Sequence, residues 1–194
     1  MPEKILSTRG LNTLMFSDPY AKLCFTAHIA SQFEKVTYID LDTTFTAYFN
    51  AGLIQLDKVD VYLPSEGRLV PIIRGAIESI GSSSLVIFDS VNSFYNLFRA
   101  QETGGLNHLL SVLLMLLVRR GVDEGVPVLA TSMLRYRKDG GWVQSPASRR
   151  LLKHKSAARL SIERTESDIV VTMVEHESIP AGTQVAYKDS LITV

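Results

Sequence analysis

The chain has 194 residues, 46% of them hydrophobic and 21% charged, and its formal net charge is zero. These values are ordinary for a folded domain and exclude global disorder. The single cysteine, Cys24, excludes an intrachain disulfide and favours a reducing compartment. The N-terminus lacks a signal-peptide pattern, and the most apolar run, 109–118, is too short to span a bilayer. We therefore expect one cytoplasmic domain over residues 1–194, without membrane contact.

The first half of the chain alternates between predicted strands and helices. Strands are predicted at 12–17, 36–40, 59–63 and within 83–90. Helices are predicted from Asp18 to about Phe33, over 43–56 and over 69–80, the last ending at Gly81. The run Leu-Val-Ile-Phe before Asp89 has no polar break, which favours a strand buried on both faces of a parallel sheet.

The spacing of apolar residues changes in the second half of the chain. A helix is predicted after Asp89 and is broken by Gly104 and Gly105; a second, strongly apolar helix covers 106–120 and stops at Gly121. A short buried strand follows at 127–131, and residues 135–155 are predicted as a loop or a lightly structured segment.

The end of the chain alternates apolar and polar residues at 157–163 and 168–174, across a turn at 164–167, which predicts a hairpin. A second, shorter hairpin is predicted from 184–187 and 191–194. The whole pattern predicts an α/β fold. A mostly parallel sheet would lie between two helical layers and be extended at one edge by antiparallel strands.

Acidic residues stand at the ends of two predicted strands. Asp40 and Asp42 lie two residues apart, and Asp89 ends the most apolar strand. Carboxylates at the carboxyl ends of parallel strands lie where α/β sheets bind ligands. Acids in this position can bind metal or act as a general base. Strand-end acids also have structural roles, and Asp42 precedes a helical segment, so we favour an N-cap for it.

Positive charge is concentrated in one segment. Residues 135–164 contain nine Lys/Arg and two acids, a net charge of +7, so the rest of the chain carries −7. A basic block in an otherwise acidic protein indicates a polyanionic partner.

The order of these motifs resembles a known family. The segments 36–42 (VTYIDLD), 85–90 (LVIFDS) and 127–132 (PVLATS) succeed one another as in the RecA/RadA ATPase core. The tail segments 155–163, 175–182 and 186–187 are similar to the end of archaeal RadA-type recombinases. The resemblance covers roughly residues 10–194 and implies a RecA-like three-layer sandwich.

The resemblance places a phosphate-binding loop at 16–23, where this chain departs from the family pattern. A P-loop needs glycines that let backbone amides close around phosphates, then Lys and a Ser/Thr for Mg²⁺. Aligned on Lys22, Phe16 and Ala21 replace the glycines and Leu23 replaces the Ser/Thr. Asp18 adds negative charge where phosphate oxygens would lie. We expect Lys22 to be solvated and regard it as a weak candidate for nucleotide binding.

The family's remaining site residues are partly retained. Asp42 falls where the family usually has the Glu that activates water, and Asp89 matches the acid associated with Mg²⁺. The γ-phosphate-sensing Gln falls at Met133, which lacks an amide. Asp42 and Asp89 are therefore vestigial catalytic candidates, with Asp89 a weak metal candidate. We expect no cofactor. ATP with Mg²⁺ would bind only if the chain is an ATPase with an atypical phosphate loop.

In the family, the loop after the last parallel strand contacts single-stranded DNA. The corresponding segment here combines cations with aromatic residues, including the only tryptophan, which suits phosphate contact and base stacking. The candidate DNA-binding residues are Arg135, Arg137, Lys138, Trp142, Arg149, Arg150, Lys153 and Lys155. A subunit interface and a solvated loop remain open alternatives, as does RNA.

Three functions are compatible with these observations. The first is a non-catalytic RadA-like paralogue that assists recombinational repair by binding DNA, preferably single-stranded, through the basic segment. It would also pair with a RecA/RadA-like protein or with itself. The second is an ATPase with an atypical phosphate loop that uses Lys22, Asp42 and Asp89. The third is a scaffold subunit of a larger assembly, as the RecA-like subunits of Elongator are.

Overall fold

The computed structural model describes residues 5–98, 103–144 and 156–190. The strands are β1 (Leu11–Phe16), β2 (Val36–Asp40), β3 (Val59–Tyr62), β4 (Leu85–Asp89), β5 (Val128–Arg137), β6 (Gly141–Gln144), β7 (Ser156–Arg164), β8 (Asp168–His176) and β9 (Gln184–Lys188). The α-helices are α1 (Pro19–Ala30), α2 (Thr44–Asn50), α3 (Leu69–Ser79), α4 (Val91–Asn96) and α5 (Thr103–Glu124).

The strands form one sheet in the order β3-β2-β4-β5-β1-β7-β8-β9, with β6 paired to β5 beside this path. Along this spatial order, each neighbouring pair from β3 as far as β7 is parallel. The side pairing of β6 with β5 is antiparallel. The pairings of β7 with β8 and of β8 with β9 are antiparallel. The predicted architecture, a mostly parallel sheet with antiparallel strands at the C-terminal edge, is confirmed.

Apolar side chains alternate between two cores, one on each face of the sheet. Strands β1, β2 and β4 are buried along their whole length. The unbroken apolar run of β4 predicted this burial for that strand. One core joins the sheet to α1 and α2, and the other joins it to α3, α4 and α5. The molecule is therefore a three-layer sandwich, and the carboxyl ends of its parallel strands lie at the edge where α/β sheets in general bind ligands.

Several boundaries differ from the prediction. Helix α2 ends at Asn50 rather than near 56, because the chain turns at Gly52, whose φ is +72°. Helix α5 includes Gly104 and Gly105 and passes through Gly121. The predicted break and stop at these three glycines were therefore wrong, and Gly125, with φ of +70°, follows the helix end instead.

Gly121 serves close packing rather than helix termination. A Cβ at this position would lie 2.6 Å from Val128 Cγ2 and 2.7 Å from the carbonyl oxygen of Val126. The helix can approach the start of β5 this closely only because Gly121 has no side chain.

By length and composition alone, helix α5 is long and apolar enough to span a membrane, and 33% of its most apolar 18-residue stretch is buried. Core helices of other proteins meet the same criterion. Its inner face, including Leu110 and Leu117, packs into the second core, whereas Met115 and Leu116 are exposed. The helix thus presents a partly uncovered apolar surface.

The basic segment is more ordered at its start than predicted. Strand β5 continues to Arg137 and turns back into β6, so residues 135–144 form a hairpin rather than a loop. At the end of the chain, β9 pairs with β8 and extends the sheet edge. The partner strand predicted for β9 at 191–194 lies outside the described residues.

Candidate functional site

Lys22 is buried at the carboxyl edge of the sheet. It lies near the start of α1, and its side chain is only 1% exposed. The expectation of a solvated Lys22 was therefore wrong. The physical reason is that its ammonium group has two acidic partners at the ends of neighbouring strands, and the Phe16 ring lies 5.6 Å from Nζ.

Asp89 is the principal partner of Lys22 and the centre of a buried network. Lys22 Nζ donates to Asp89 Oδ2 at 2.6 Å, and the Tyr38 hydroxyl donates to the same oxygen at 2.7 Å. Thr131 Oγ1 donates to Asp89 Oδ1 at 2.5 Å. Both carboxylate oxygens of a fully buried side chain are thus hydrogen-bonded, as burial of a carboxylate requires.

Burial and neighbouring charges shift the pKa values of Lys22 and Tyr38. Burial lowers the pKa of Lys22, but the negative charges of Asp89 and Asp42 outweigh it, so that the pKa lies above its ordinary value. Burial and, next, the charge of Asp89 raise the pKa of Tyr38 well above its ordinary value. Lys22 therefore remains an ammonium ion and Tyr38 a neutral donor at physiological pH.

Asp42 completes the environment of Lys22. Its Oδ2 accepts from Lys22 Nζ at 3.2 Å, while its Oδ1 accepts from the backbone N–H of Thr44 at 3.0 Å at the start of α2. Burial raises the pKa of Asp42, but Lys22 and the hydrogen bonds from Thr44 outweigh burial and lower it. The N-cap of α2 is Thr43, so the predicted N-cap position of Asp42 was wrong by one residue. Asp42 nevertheless accepts from the first N–H of the helix and pairs with Lys22.

Asp40 lies beside Asp89 in the strand register but has different partners. Its Oδ2 accepts from the N–H of Thr46 at 2.8 Å and from Thr46 Oγ1 at 2.6 Å. Its Oδ1 is buried without a hydrogen-bond partner among the described residues. Burial raises the pKa of Asp40 to about 6, although the bonds from Thr46 oppose that rise.

The three carboxylates are close enough to share one cation. One oxygen of each of Asp40, Asp42 and Asp89 lies within 4.8 Å of the other two. This geometry resembles a divalent-metal site in its donor set, since hard cations favour carboxylate oxygens. The Lys22 ammonium, however, already donates to two of the three carboxylates.

The start of α1 is closed by its own side chains. Asp18 Oδ1 accepts from the N–H groups of Tyr20 at 2.8 Å and Ala21 at 3.2 Å. Pro19 occupies the next helical position and has no N–H to donate. Two amides of the aligned P-loop segment, those of Tyr20 and Ala21, are therefore already hydrogen-bonded to a carboxylate, and Pro19 lacks an N–H.

The β5–β6 hairpin brings four of the predicted DNA-binding residues together. Arg135, Arg137, Lys138 and Trp142 are all exposed, and the structure shows no ion pair for the three cations within the described ranges. Tyr136 and Trp142 are directly opposite in register. The other four candidates, Arg149, Arg150, Lys153 and Lys155, lie outside the described residues.

Met133, at the position of the family's sensing Gln, is exposed just beyond the buried part of β5. Its backbone N–H donates to Asn92 Oδ1 of α4 at 2.7 Å. This bond ties the base of the hairpin to α4 and fixes the orientation of the Asn92 amide.

Sequence reasoning missed Tyr38, Thr131 and Asn92 as members of these sites. A signal existed for Thr131, which is a polar residue at the end of a buried apolar run. Tyr38 and Asn92 had no comparable signal, because their roles depend on which strands and helices become neighbours. The register Asp40 to Asp89 and the position of β5 next to β4 supply that information.

No model of a known protein family matches the chain, and no curated protein matches its sequence. Among solved structures, the chain is similar to a crystal structure of the RadB recombinase. The TM-score is 0.69 at 16% sequence identity, over 94% of this chain and 88% of the other. The chain has a RecA-like fold. The fold expected from the motif order is thereby confirmed.

Proposed function

We propose that this RecA-like protein is a cytoplasmic, non-catalytic paralogue of the RadA type that assists recombination and repair by binding single-stranded DNA. The observation that carries the proposal is the β5–β6 hairpin. It projects three cations without ion-pair partners in the described structure, together with an exposed aromatic pair, from the end of β5. Cations that contact phosphates beside rings that stack on bases are typical of single-strand binding.

The buried hydrogen-bond network around Lys22 supports a function that does not depend on nucleotide binding. To reach a phosphate, Lys22 would have to leave Asp89, which would then be buried and lacking its cationic partner. Breaking a buried ion pair in this way costs several kcal/mol. A Mg²⁺ ion at the three carboxylates would meet the Lys22 ammonium, so the present arrangement does not fit the metal.

The closed start of α1 supports the same conclusion. A phosphate group there would have to displace the Asp18 carboxylate from the N–H groups of Tyr20 and Ala21. The two anions would also repel each other at short range. The P-loop is degenerate in sequence, because Phe16, Ala21 and Leu23 stand where the family has Gly, Gly and Ser/Thr.

A protein partner is the second candidate function, as a RecA-like scaffold subunit or in pairing with a RecA/RadA-like protein. Helices α3 and α5 expose apolar side chains, with Val70 58% and Met115 52% exposed. Exposed apolar patches commonly mark interaction sites. A defined oligomer by light scattering in a protein without DNA affinity would favour this function over the first.

Fluorescence anisotropy with labelled single-stranded and duplex DNA, over a salt series, tests the proposal. We expect the single strand to bind more tightly and its affinity to fall with salt. The slope should shrink by about 0.7 for each phosphate contact removed. Arg135→Glu/Arg137→Glu should weaken binding strongly. Lys58→Glu, an exposed cation at the opposite end of the strands, is the matched control and should not.

Charge reversal at Arg149 and Arg150 extends the same test to the part of the segment outside the described residues. Unchanged affinity in both double variants would remove the basic segment from the proposal. Absence of DNA binding at low salt would contradict the proposal as a whole.

A further inference from the structure

The base of the hairpin forms a pocket with α4. This surface pocket is open to solvent and has a volume of about 390 Å³. It is lined by Asn92 and Asn96 of α4 and, on the hairpin side, by Met133, Arg135, Tyr136 and Trp142, among others. This volume lies in the lower part of the range of about 300–1,000 Å³ found for small-molecule sites. The lining combines aromatic rings, amides and a cation, which is the chemistry of a nucleobase site.

The aromatic wall of the pocket consists of Tyr136 and Trp142. Their ring centroids are 5.6 Å apart at an interplanar angle of 70°, an edge-to-face arrangement. Tyr136 is 64% exposed and Trp142 is 54% exposed. Since an edge-to-face pair does not cover both faces of both rings, an aromatic surface remains open for stacking with a base.

The opposite wall carries hydrogen-bonding groups of fixed orientation. Asn92 Oδ1 is engaged by the Met133 N–H, so the Asn92 NH₂ group is the part left to donate to a ligand. Within the described ranges this NH₂ group has no acceptor, and Asn96 beside it is exposed. An amide donor opposite an aromatic wall can meet the edge of a base whose face is stacked.

The charge of the hairpin completes the arrangement. Arg135 and Arg137 flank Tyr136 along β5, and successive strand residues point to opposite faces. Cations therefore lie on both sides of Tyr136 along the strand, and Arg135 itself lines the pocket. A single strand can place its phosphates against the cations while one base turns to the aromatic wall.

We propose that this pocket holds one unstacked base of single-stranded DNA, between the Tyr136–Trp142 pair and the Asn92 amide. The inference rests on the proposed DNA-binding function and deepens it. It assigns base contact to the pocket and phosphate contact to the cations Arg135, Arg137 and Lys138. Single-stranded RNA is the alternative ligand that the experiment distinguishes by comparing oligothymidine with oligouridine.

Trp142 is the only tryptophan, so its fluorescence reports on the pocket directly. The protein is titrated with a twelve-residue oligothymidine and with an abasic oligodeoxyribose phosphate of equal length and charge. We expect oligothymidine to quench Trp142 and to bind about tenfold more tightly than the abasic strand, since stacking contributes about 1–3 kcal/mol per base. Oligouridine should bind more weakly than oligothymidine; tighter binding of oligouridine would overturn the assignment to DNA.

Variants at Trp142 separate stacking from a structural role. Trp142→Ala should lower the affinity for oligothymidine to that for the abasic strand and leave the affinity for the abasic strand unchanged. Fluorescence anisotropy of the labelled strands measures both affinities. Trp142→Phe retains a ring and should restore most of the difference. An equal loss for both strands would show damage to the hairpin and contradict the stacking role.

The outcomes for the pocket and for DNA binding are distinct. Equal, salt-dependent binding of both strands without quenching of Trp142 would overturn the base pocket and leave the proposed function standing. Failure of both strands to bind at low salt would overturn both.

Discussion

Lys22 and Asp89 form a buried ion pair in which Nζ lies 2.6 Å from Oδ2 and the two side chains are 1% and 0% exposed. In the resemblance that the sequence suggested, these residues would hold phosphate and Mg²⁺. In this structure they hold each other, with Tyr38 and Thr131 satisfying the rest of the carboxylate. The ion pair and its hydrogen bonds therefore give both oxygens of the buried Asp89 carboxylate partners within the protein.

Removing either partner of this pair should destabilise the fold. Lys22→Met keeps the apolar stem but leaves Asp89 buried without its cation, at an expected cost of about 3–5 kcal/mol in the free energy of unfolding. Asp89→Asn should also destabilise, because Lys22 then retains only Asp42. Urea denaturation gives both values.

The double variant Lys22→Met/Asp89→Asn tests whether the two residues act as one unit. Because it removes both charges together, its loss should be smaller than the sum of the single losses by more than about 1 kcal/mol. Strictly additive losses would show that the pair is not energetically coupled.

Shortening Lys22 should expose the latent cation site. Lys22→Ala frees three carboxylates that lie within 4.8 Å of one another, a donor set suited to Mn²⁺ or Mg²⁺. We expect Mn²⁺ to raise the melting temperature of Lys22→Ala, by an amount equivalent to about 2.7 kcal/mol at a hundredfold excess over Kd. The wild type should not respond. Equal responses of the wild type and Lys22→Ala to Mn²⁺ would contradict this assignment. So would a response of Lys22→Ala that persists when Asp89→Asn is added.

The architecture and the site were not equally accessible from sequence. The unbroken apolar run at β4 and the alternation at β7 and β8 identified the layers, because the period of apolar residues follows directly from burial. The burial of Lys22 could not be predicted, since a lysine near a helix start is ordinarily solvated. It depends on α1 lying over the ends of β2 and β4, which is a tertiary relationship. Gly121 was misread for a similar reason, as its contact is with a following strand.

Asp40 should make stability fall with rising pH in a defined range. Its pKa is about 6 in the folded protein against an ordinary value of 3.8, so between these values the folded state holds more proton than the unfolded state. The free energy of unfolding therefore decreases from about pH 4 to about pH 6 and then levels off as far as Asp40 is concerned.

The side chain introduced by Asp40→Asn is uncharged at every pH and retains an oxygen that can accept hydrogen bonds from Thr46. Relative to the wild type, the variant's free energy of unfolding should rise by about 3 kcal/mol between pH 4 and pH 7, measured by urea titration at each pH. Asp42→Asn is the control of opposite sign, because the lowered pKa of Asp42 stabilises the wild type above pH 4. A parallel pH dependence of Asp40→Asn and wild type would contradict the assignment.

Gly121→Ala should destabilise the packing of α5 against β5 by about 1–3 kcal/mol, because its Cβ would overlap Val128 and the Val126 carbonyl. Gly105→Ala in the first turns of the same helix is the matched control. It meets nothing within 4 Å and should stabilise by about 0.5–1 kcal/mol. Thermal denaturation followed by circular dichroism compares the two, and a loss at Gly105 equal to that at Gly121 would contradict the packing role of Gly121.

We propose that the Lys22–Asp89 ion pair takes the place that nucleotide and metal occupy in RecA-like ATPases. The most direct test is the melting temperature of the wild-type protein with and without ATP–Mg²⁺ at millimolar concentration. A ligand present at one hundred times its Kd would stabilise the fold by about 2.7 kcal/mol. We expect no shift. A dose-dependent rise, accompanied by Mg²⁺-dependent ATP turnover, would contradict this proposal and favour an ATPase with an atypical phosphate loop.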